Sequence, residues 1–217
     1  MKLYFASQPQ FDKWAIGAGQ KYILISYHFI RKAKLHLPET MREYLQTFRD
    51  AGIELLIDSG AHTFQKEKST VNYQEYFESY LQWLKENSDL IGRYVELDIE
   101  NVVGLDKVNE WSDTLAKNLP TPPIRVWHRW RGGIKVWEEM CRKNDYVGFS
   151  GFLIQQGGGA ELPLDKIPLF LKIAAENDCK VHGFGFTNPR QLSSLPFYSV
   201  DSSSWMAAQR FGHLHYF

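Results

Sequence analysis

Eight short apolar runs recur along this chain, most of them separated by stretches of helical periodicity, and that alternation leaves few folds open. The runs lie at 2–7 (KLYFAS), 22–27 (YILISY), 54–60 (ELLIDSG), 93–99 (RYVELDI), 124–130 (IRVWHRW), 146–152 (YVGFSGF), 180–186 (KVHGFGF) and 198–204 (YSVDSSS). Most lack a clean two-residue alternation, as strands covered on both faces do. Strands interleaved with helices point to a parallel sheet wrapped by helices.

The intervening stretches carry their own signals. Asn72 and Glu75 have the spacing of a capping box, and Tyr73, Tyr76, Phe77, Tyr80, Leu81 and Leu84 then mark one helical face, read as core rather than as a binding surface. Further helices are expected around Met41, Tyr44, Leu45 and Phe48, closed by Gly52, and around Val108, Trp111 and Leu115. Two more follow at Ile134, Trp137, Met140 and Cys141, and at Ile167, Phe170, Ile173 and Ala174. Only a loop is expected between the first two strands. The predicted fold class is α/β: a compact (β/α)8 TIM-like barrel with some helices short or missing. With 217 residues, the chain is below the ~250 usual for that fold. A doubly wound open sheet is the alternative. No internal repeat or linker divides the chain, so residues 1–217 are read as one domain.

Composition narrows the function classes. No apolar run approaches the ~20 residues of a membrane span, and the opening residues lack the apolar core of a secretory signal. Cys141 and Cys179 have no CxxC spacing and read as reduced thiols, which predicts a cytoplasmic protein. Formal net charge is +0, so any nucleic-acid contact must come from a local patch such as Arg125, Arg129, Arg131 and Lys135.

In a barrel the chemistry gathers at the carboxyl ends of the strands. Those ends here carry His28, Asp58, Ser59, Gly60, Asp98, His128, Ser150, Gly151, His182, Gly185 and Asp201. Aspartate is disfavoured in strands and costly to bury unpaired, so Asp58, Asp98 and Asp201 at three strand ends are candidate functional carboxylates. The small residues of Asp58-Ser59-Gly60-Ala61 and the glycines of His182-Gly183-Phe184-Gly185 would let a ligand approach the backbone. The Gln155-Gln156-Gly157-Gly158-Gly159 stretch reads as a mobile loop of a kind that can serve as a lid. His28, His128 and His182 raise an alternative, a metal-dependent barrel hydrolase.

At the residues LIDSGAHTF (56–64), the chain resembles the Asp-Ser-Gly-Gly-Phe segment of tRNA-guanine transglycosylases. The block VHGFGFTNPRQLSSLPFYSVDSSSW (181–205) is similar to that family's glycine-rich strand and its final, aspartate-bearing strand. ELDIE (96–100) and GFSGF (148–152) fall where the family has its base-reading aspartate and a Gly-Gly backbone contact. The sequence departs from the pattern at Ala61, where the family usually has glycine.

The resemblance implies a TIM barrel that exchanges guanine in a nucleic acid for a 7-deazaguanine such as preQ0, through a covalent aspartyl-sugar intermediate. By motif, Asp201 would be the nucleophile, Asp58 the general acid/base and Asp98 the reader of the base. Ser150 and Gly151 would offer polar contacts, with Ser59, Gly60, His128, His182 and Gly185 lining the substrate. Tyr27, Phe64, Trp127 and Trp205 are candidates to stack on the base, Trp127 being the better fit to the core. The family's tRNA enzymes hold zinc with a Cys/His cluster, and this sequence shows none, so no metal and no cofactor is implied. The compact size resembles phage and bacterial paralogues that modify DNA, so DNA is expected ahead of tRNA, in a bacterial or phage-infected cytoplasm. The same relatives imply a homodimer or a partner in a modification complex. A non-catalytic nucleic-acid-binding member is the remaining reading.

Overall fold

A computed structural model describes residues 1–9, 12–32, 41–61, 71–150, 164–186, 188 and 192–204. Its strands are β1 (Lys2–Ser7), β2 (Tyr22–Ser26), β3 (Glu54–Asp58), β4 (Arg93–Tyr94), β5 (Arg125–Trp127), β6 (Tyr146–Ser150), β7 (Lys180–Phe184) and β8 (Ser199–Ser202). All are parallel, in one sheet of order β4-β3-β2-β1-β8-β7-β6-β5. A parallel bridge between Val95 and Ile124 joins the residue after β4 to the residue before β5, so the order is the cyclic one of a (β/α)8 TIM-like fold. The expected fold class is the observed one.

β1 ends at Ser7 as its apolar run predicts, whereas β2, β3, β4, β5, β7 and β8 are shorter at their carboxyl ends than their runs suggest. Tyr27 begins a helix rather than ending β2. β4 holds two residues where seven were predicted, and the Ile99 N–H turns back to the Leu97 carbonyl. After β5 the chain coils into a 3-10 turn at Arg129–Arg131. Early exit of the chain from the ladder is what presents side chains beyond the sheet.

The helices are α1 (Asp12–Gly17), α2 (Tyr27–Lys32), α3 (Met41–Asp50), α4 (Tyr73–Asn87), α5 (Glu100–Val103), α6 (Leu105–Asn118), α7 (Ile134–Lys143) and α8 (Ile167–Glu176). The six residues of α1 fill the connection predicted to be a loop; so short a helix shows no readable period. The Asn72 side chain accepts the Glu75 N–H at 3.2 Å, capping α4 as its sequence predicts. Tyr76, Phe77, Tyr80 and Leu84 of that helix are buried, so its aromatic stripe is core. Gly52 closes α3 at φ 67°, a left-handed conformation that glycine adopts without a Cβ clash.

The chain divides into two compact units: Met1–Ala6 with Val126–Phe217, and Ser7–Arg125. In the first, Val147, Phe149, Val181 and Val200 on one sheet face pack with Trp137 and Cys141 of α7 and Phe170 and Ala174 of α8. Trp127 joins this cluster, stacked on Phe149 at 5.2 Å, and the Trp137 indole N–H donates to the Phe170 carbonyl at 2.8 Å. Each of the buried valines and phenylalanines among them contributes roughly 1.5–3 kcal/mol by leaving water. In the second unit, Ile23, Ile25, Leu55, Leu56 and Ile57 are fully or almost fully buried, as are Leu45 and Phe48 of α3. Phe77 of α4 stacks on Trp111 of α6 at 4.9 Å.

Candidate active site

Strand alternation sorts the first unit's sheet into two chemistries. With Val147, Phe149, Val181 and Val200 turned to the helices, the other face receives Tyr146, Gly148 and Ser150 of β6, His182 and Phe184 of β7, and Ser199 and Asp201 of β8. Tyr4 of β1 lies beside Asp201 in register. Gly148 is required there: a Cβ would lie 2.5 Å from the Phe184 ring.

Four of these side chains form one continuous hydrogen-bonded chain. Asp201 Oδ1 lies 3.3 Å from His182 Nε2 and accepts the Gly185 N–H at 2.9 Å. His182 Nδ1 is 2.6 Å from Ser199 Oγ, which is 2.5 Å from the Tyr146 hydroxyl. A carboxylate only accepts, so Nε2 carries the hydrogen toward Asp201 and Nδ1 accepts from Ser199. Ser199, having given its own hydrogen, accepts from Tyr146. His182 is wholly buried, edge-on to Tyr4 at 5.7 Å and to Phe184 at 4.3 Å, so its ring has no room to turn.

Asp201 is held differently on its two oxygens. Both donors reach Oδ1; Oδ2 takes no hydrogen bond among the described residues. Its side chain keeps 14% exposure at the carboxyl end of β8. One oxygen is fixed and the other has no hydrogen bond among the described residues, which suits a carboxylate that must attack along one line.

In the second unit Asp58 ends β3 beside Ser26 of β2. Its Oδ2 accepts the Gly60 N–H at 3.0 Å, folding the chain sharply away. Gly60 sits at φ 88°, and a Cβ there would lie 2.7 Å from the His28 Cβ and 3.0 Å from the Tyr76 hydroxyl. Packing therefore demands glycine at this point. The Tyr76 hydroxyl donates to the Ser59 carbonyl at 2.7 Å. Burial, followed by the charge of Asp58, pushes the Tyr76 and Tyr80 phenols up, so both remain donors. Arg31 lies over the Tyr76 ring at 4.9 Å.

The ELDIE segment divides by residue. Glu96 is fully buried and accepts the Ser112 hydroxyl of α6 at 2.5 Å; Asp98 stays half-buried, and Glu100 opens α5. Asp98 thus keeps access to solvent, while Glu96 ties α6 to the end of β4.

Several candidate residues lie elsewhere than expected. Ser59 and His182 are fully buried, so neither reaches a ligand without rearrangement; His182 holds Asp201 from behind. Tyr27 and Trp127 are also buried, which removes them as stacking surfaces. Ser150 ends β6, and Gly185 is exposed at φ 71°, the turn that aims its N–H at Asp201. Gly151, Phe64, Trp205 and the 155–159 loop lie outside the described residues. Among the described residues no three His, Cys, Asp or Glu side chains gather as a metal site. No described helix is long and apolar enough to cross a membrane.

Sequence reasoning missed Asp12, Tyr146, Ser199 and Trp130. Asp12 starts α1 almost wholly buried, accepting from the Tyr44 hydroxyl. Burial raises its carboxyl to about 6, against the lowering effect of hydrogen bonds from Ser7 and Tyr44. Ser199 had a readable signal: two residues before Asp201 on one strand, it must share its face.

No protein-family model and no curated protein matches the sequence. Among solved structures, the chain is similar to a GH113 beta-1,4-mannanase, with TM-score 0.48 and 11% identity over 85% of this chain and 72% of that one. It is also similar to the probable 3-DHS dehydratase involved in petrobactin synthesis from Bacillus anthracis, at TM-score 0.43 and 11% identity, covering 96% and 77% of the two chains. A third is the endo-beta-1,4-mannanase from Thermotoga petrophila, at TM-score 0.46 and 11% identity, covering 92% and 66%. None of the three identifies a family for this chain.

Proposed function

We propose that the protein is a base-exchange transglycosylase acting on nucleic acid, DNA ahead of tRNA, with Asp201 as its nucleophile. The observation that carries this reading is the asymmetric hold on Asp201, with Oδ1 fixed by two N–H groups and Oδ2 without a hydrogen bond among the described residues. The motif resemblance at 56–64 and 181–205 supplies the reaction class.

In this reading Oδ2 of Asp201 attacks the anomeric carbon of the target nucleoside. The bond from that carbon to guanine N9 breaks, its electron pair leaves with guanine, and Asp58 supplies the proton. A 7-deazaguanine, deprotonated at N9 by the same group, then attacks the anomeric carbon and releases the Asp201 carboxylate. Two displacements need one carboxylate nucleophile and one proton-transfer group. Asp98, half-exposed after β4, would accept from the ring N–H and amine of the base.

Labelled guanine offered with DNA and with tRNA tests the proposal. Wild type should incorporate label into one polymer, and Asp201→Ala should lower incorporation by at least about a thousandfold. Equal incorporation by Asp201→Ala, or none by the wild type, would remove the assignment.

A further inference from the structure

Trp130 is an exposed indole placed just past the carboxyl end of β5, and it is not loose. It keeps 48% exposure, yet its ring lies on that of His128 with centroids 4.8 Å apart and planes 5° from parallel. His128 itself is 5% exposed, so the surface beneath the indole belongs to the protein interior. The 3-10 turn at Arg129–Arg131 sets this geometry and ends at Gly132, φ 135°, where a Cβ would meet Val136 at 2.6 Å. An indole held in this way loses little rotamer freedom when something stacks on it.

The chain around it is locally cationic. Residues 126–137 contain Arg129, Arg131 and Lys135 and no carboxylate. Arg129 is exposed, and Lys135 stands in the first turn of α7, a ten-residue helix whose start has no side-chain cap among the described residues. Uncapped N–H groups and a lysine in a first turn favour an anion. An aromatic face beside cations fits a flat group joined to phosphate better than an uncharged sugar chain.

We propose that Trp130, backed by His128, is a stacking platform for an unpaired base of a nucleic-acid strand, with Arg129 and Lys135 taking neighbouring phosphates. The proposal rests on the nucleic-acid reading above for the polymer but not on the exchange chemistry. Stacking on an indole is tolerant of sequence, because every base has a π face. The platform would thus seize a strand without reading it, and leave recognition of the target base to other residues.

The test titrates a fluorescein-labelled mixed-sequence 12-mer, as DNA and as RNA, single-stranded and as duplex, against the full-length protein. Single strands should bind more tightly than duplex and quench indole fluorescence. Trp130→Ala should weaken single-strand binding roughly ten- to a hundredfold, with Trp130→Phe recovering most of the loss. Arg129→Gln and Lys135→Gln should each reduce the slope of log Kd against log salt by about 0.7. Unchanged binding by Trp130→Ala, no binding by the wild type, or quenching by a neutral β-linked mannohexaose in place of the oligonucleotide would each overturn the platform. The two proposals separate cleanly. Asp201→Ala should lose exchange and keep this binding, whereas a Trp130-dependent affinity without exchange would leave the platform standing and the transglycosylase reading lost.

Discussion

At the scale of the residue, His182 shows how a buried polar side chain is made to act through another. Both ring nitrogens are engaged, one by Ser199 and one by Asp201, so the ring hands the order of Tyr146 on to the carboxylate. Tyr146→Phe removes one buried hydroxyl and should cost about 1 kcal/mol in urea unfolding. His182→Ala also deletes a ring packed by Tyr4 and Phe184, and should cost about 2–4 kcal/mol. Because the two residues share a network, the double variant should differ from the sum of the singles by at least about 0.5 kcal/mol. Strict additivity would mean that the hydrogen bonds do not form one chain in solution.

At the scale of the element, strands here are built for what they leave out as much as for what they present. Gly148 sits mid-strand in β6 because Phe184 of the neighbouring strand occupies the place of its Cβ. Gly148→Ala should therefore cost about 1–3 kcal/mol by overpacking, measured as a fall in the denaturation midpoint. A neutral result would show that Phe184 swings aside freely. The helices follow more local rules. Asn72→Ala removes the cap of α4 and should cost about 1 kcal/mol, and Asn72→Asp or Asn72→Ser should restore most of it. Elements of this kind were legible in the sequence. The period that predicts α4 and the cap that starts it lie within a few residues of each other. What was not legible was where the strands stop. β4 is two residues long because the chain turns at Leu97–Ile99, and a single aspartate, Asp98, inside an apolar run does not by itself mark the place.

At the scale of the whole molecule, the pH dependence of stability has an identifiable contributor in Asp12. Its carboxyl is raised from 3.8 to about 6 in the folded chain, mainly by burial. The folded state therefore binds the extra proton between those values, and the associated stability is full below about pH 4 and lost as pH rises through about 6. The size of the effect is on the order of 3 kcal/mol. Asp12→Asn should gain stability relative to wild type between pH 4 and pH 7.5, read as the difference of their urea midpoints at each pH. A difference that does not change with pH would place the Asp12 carboxyl in contact with water.

The sequence by itself determined the fold class and most of the helices, because those follow from hydrophobic period and from caps, which are local. It also pointed to Asp58, Asp98 and Asp201, since aspartate at the end of an apolar run is unusual wherever the chain goes next. Only the tertiary structure decided what surrounds them. Tyr146, His182 and Ser199 are far apart in the chain and meet because parallel registers set β6, β7 and β8 side by side. The same ladders turned His182 from a ligand contact into a support behind Asp201. Trp130, one of seven tryptophans in the sequence, is exposed where β5 has ended at Trp127 and the chain coils into the 3-10 turn. A helix as long as α4 shows its buried face in its spacing, but the burial of a residue past a strand's end is a property of the assembled layers.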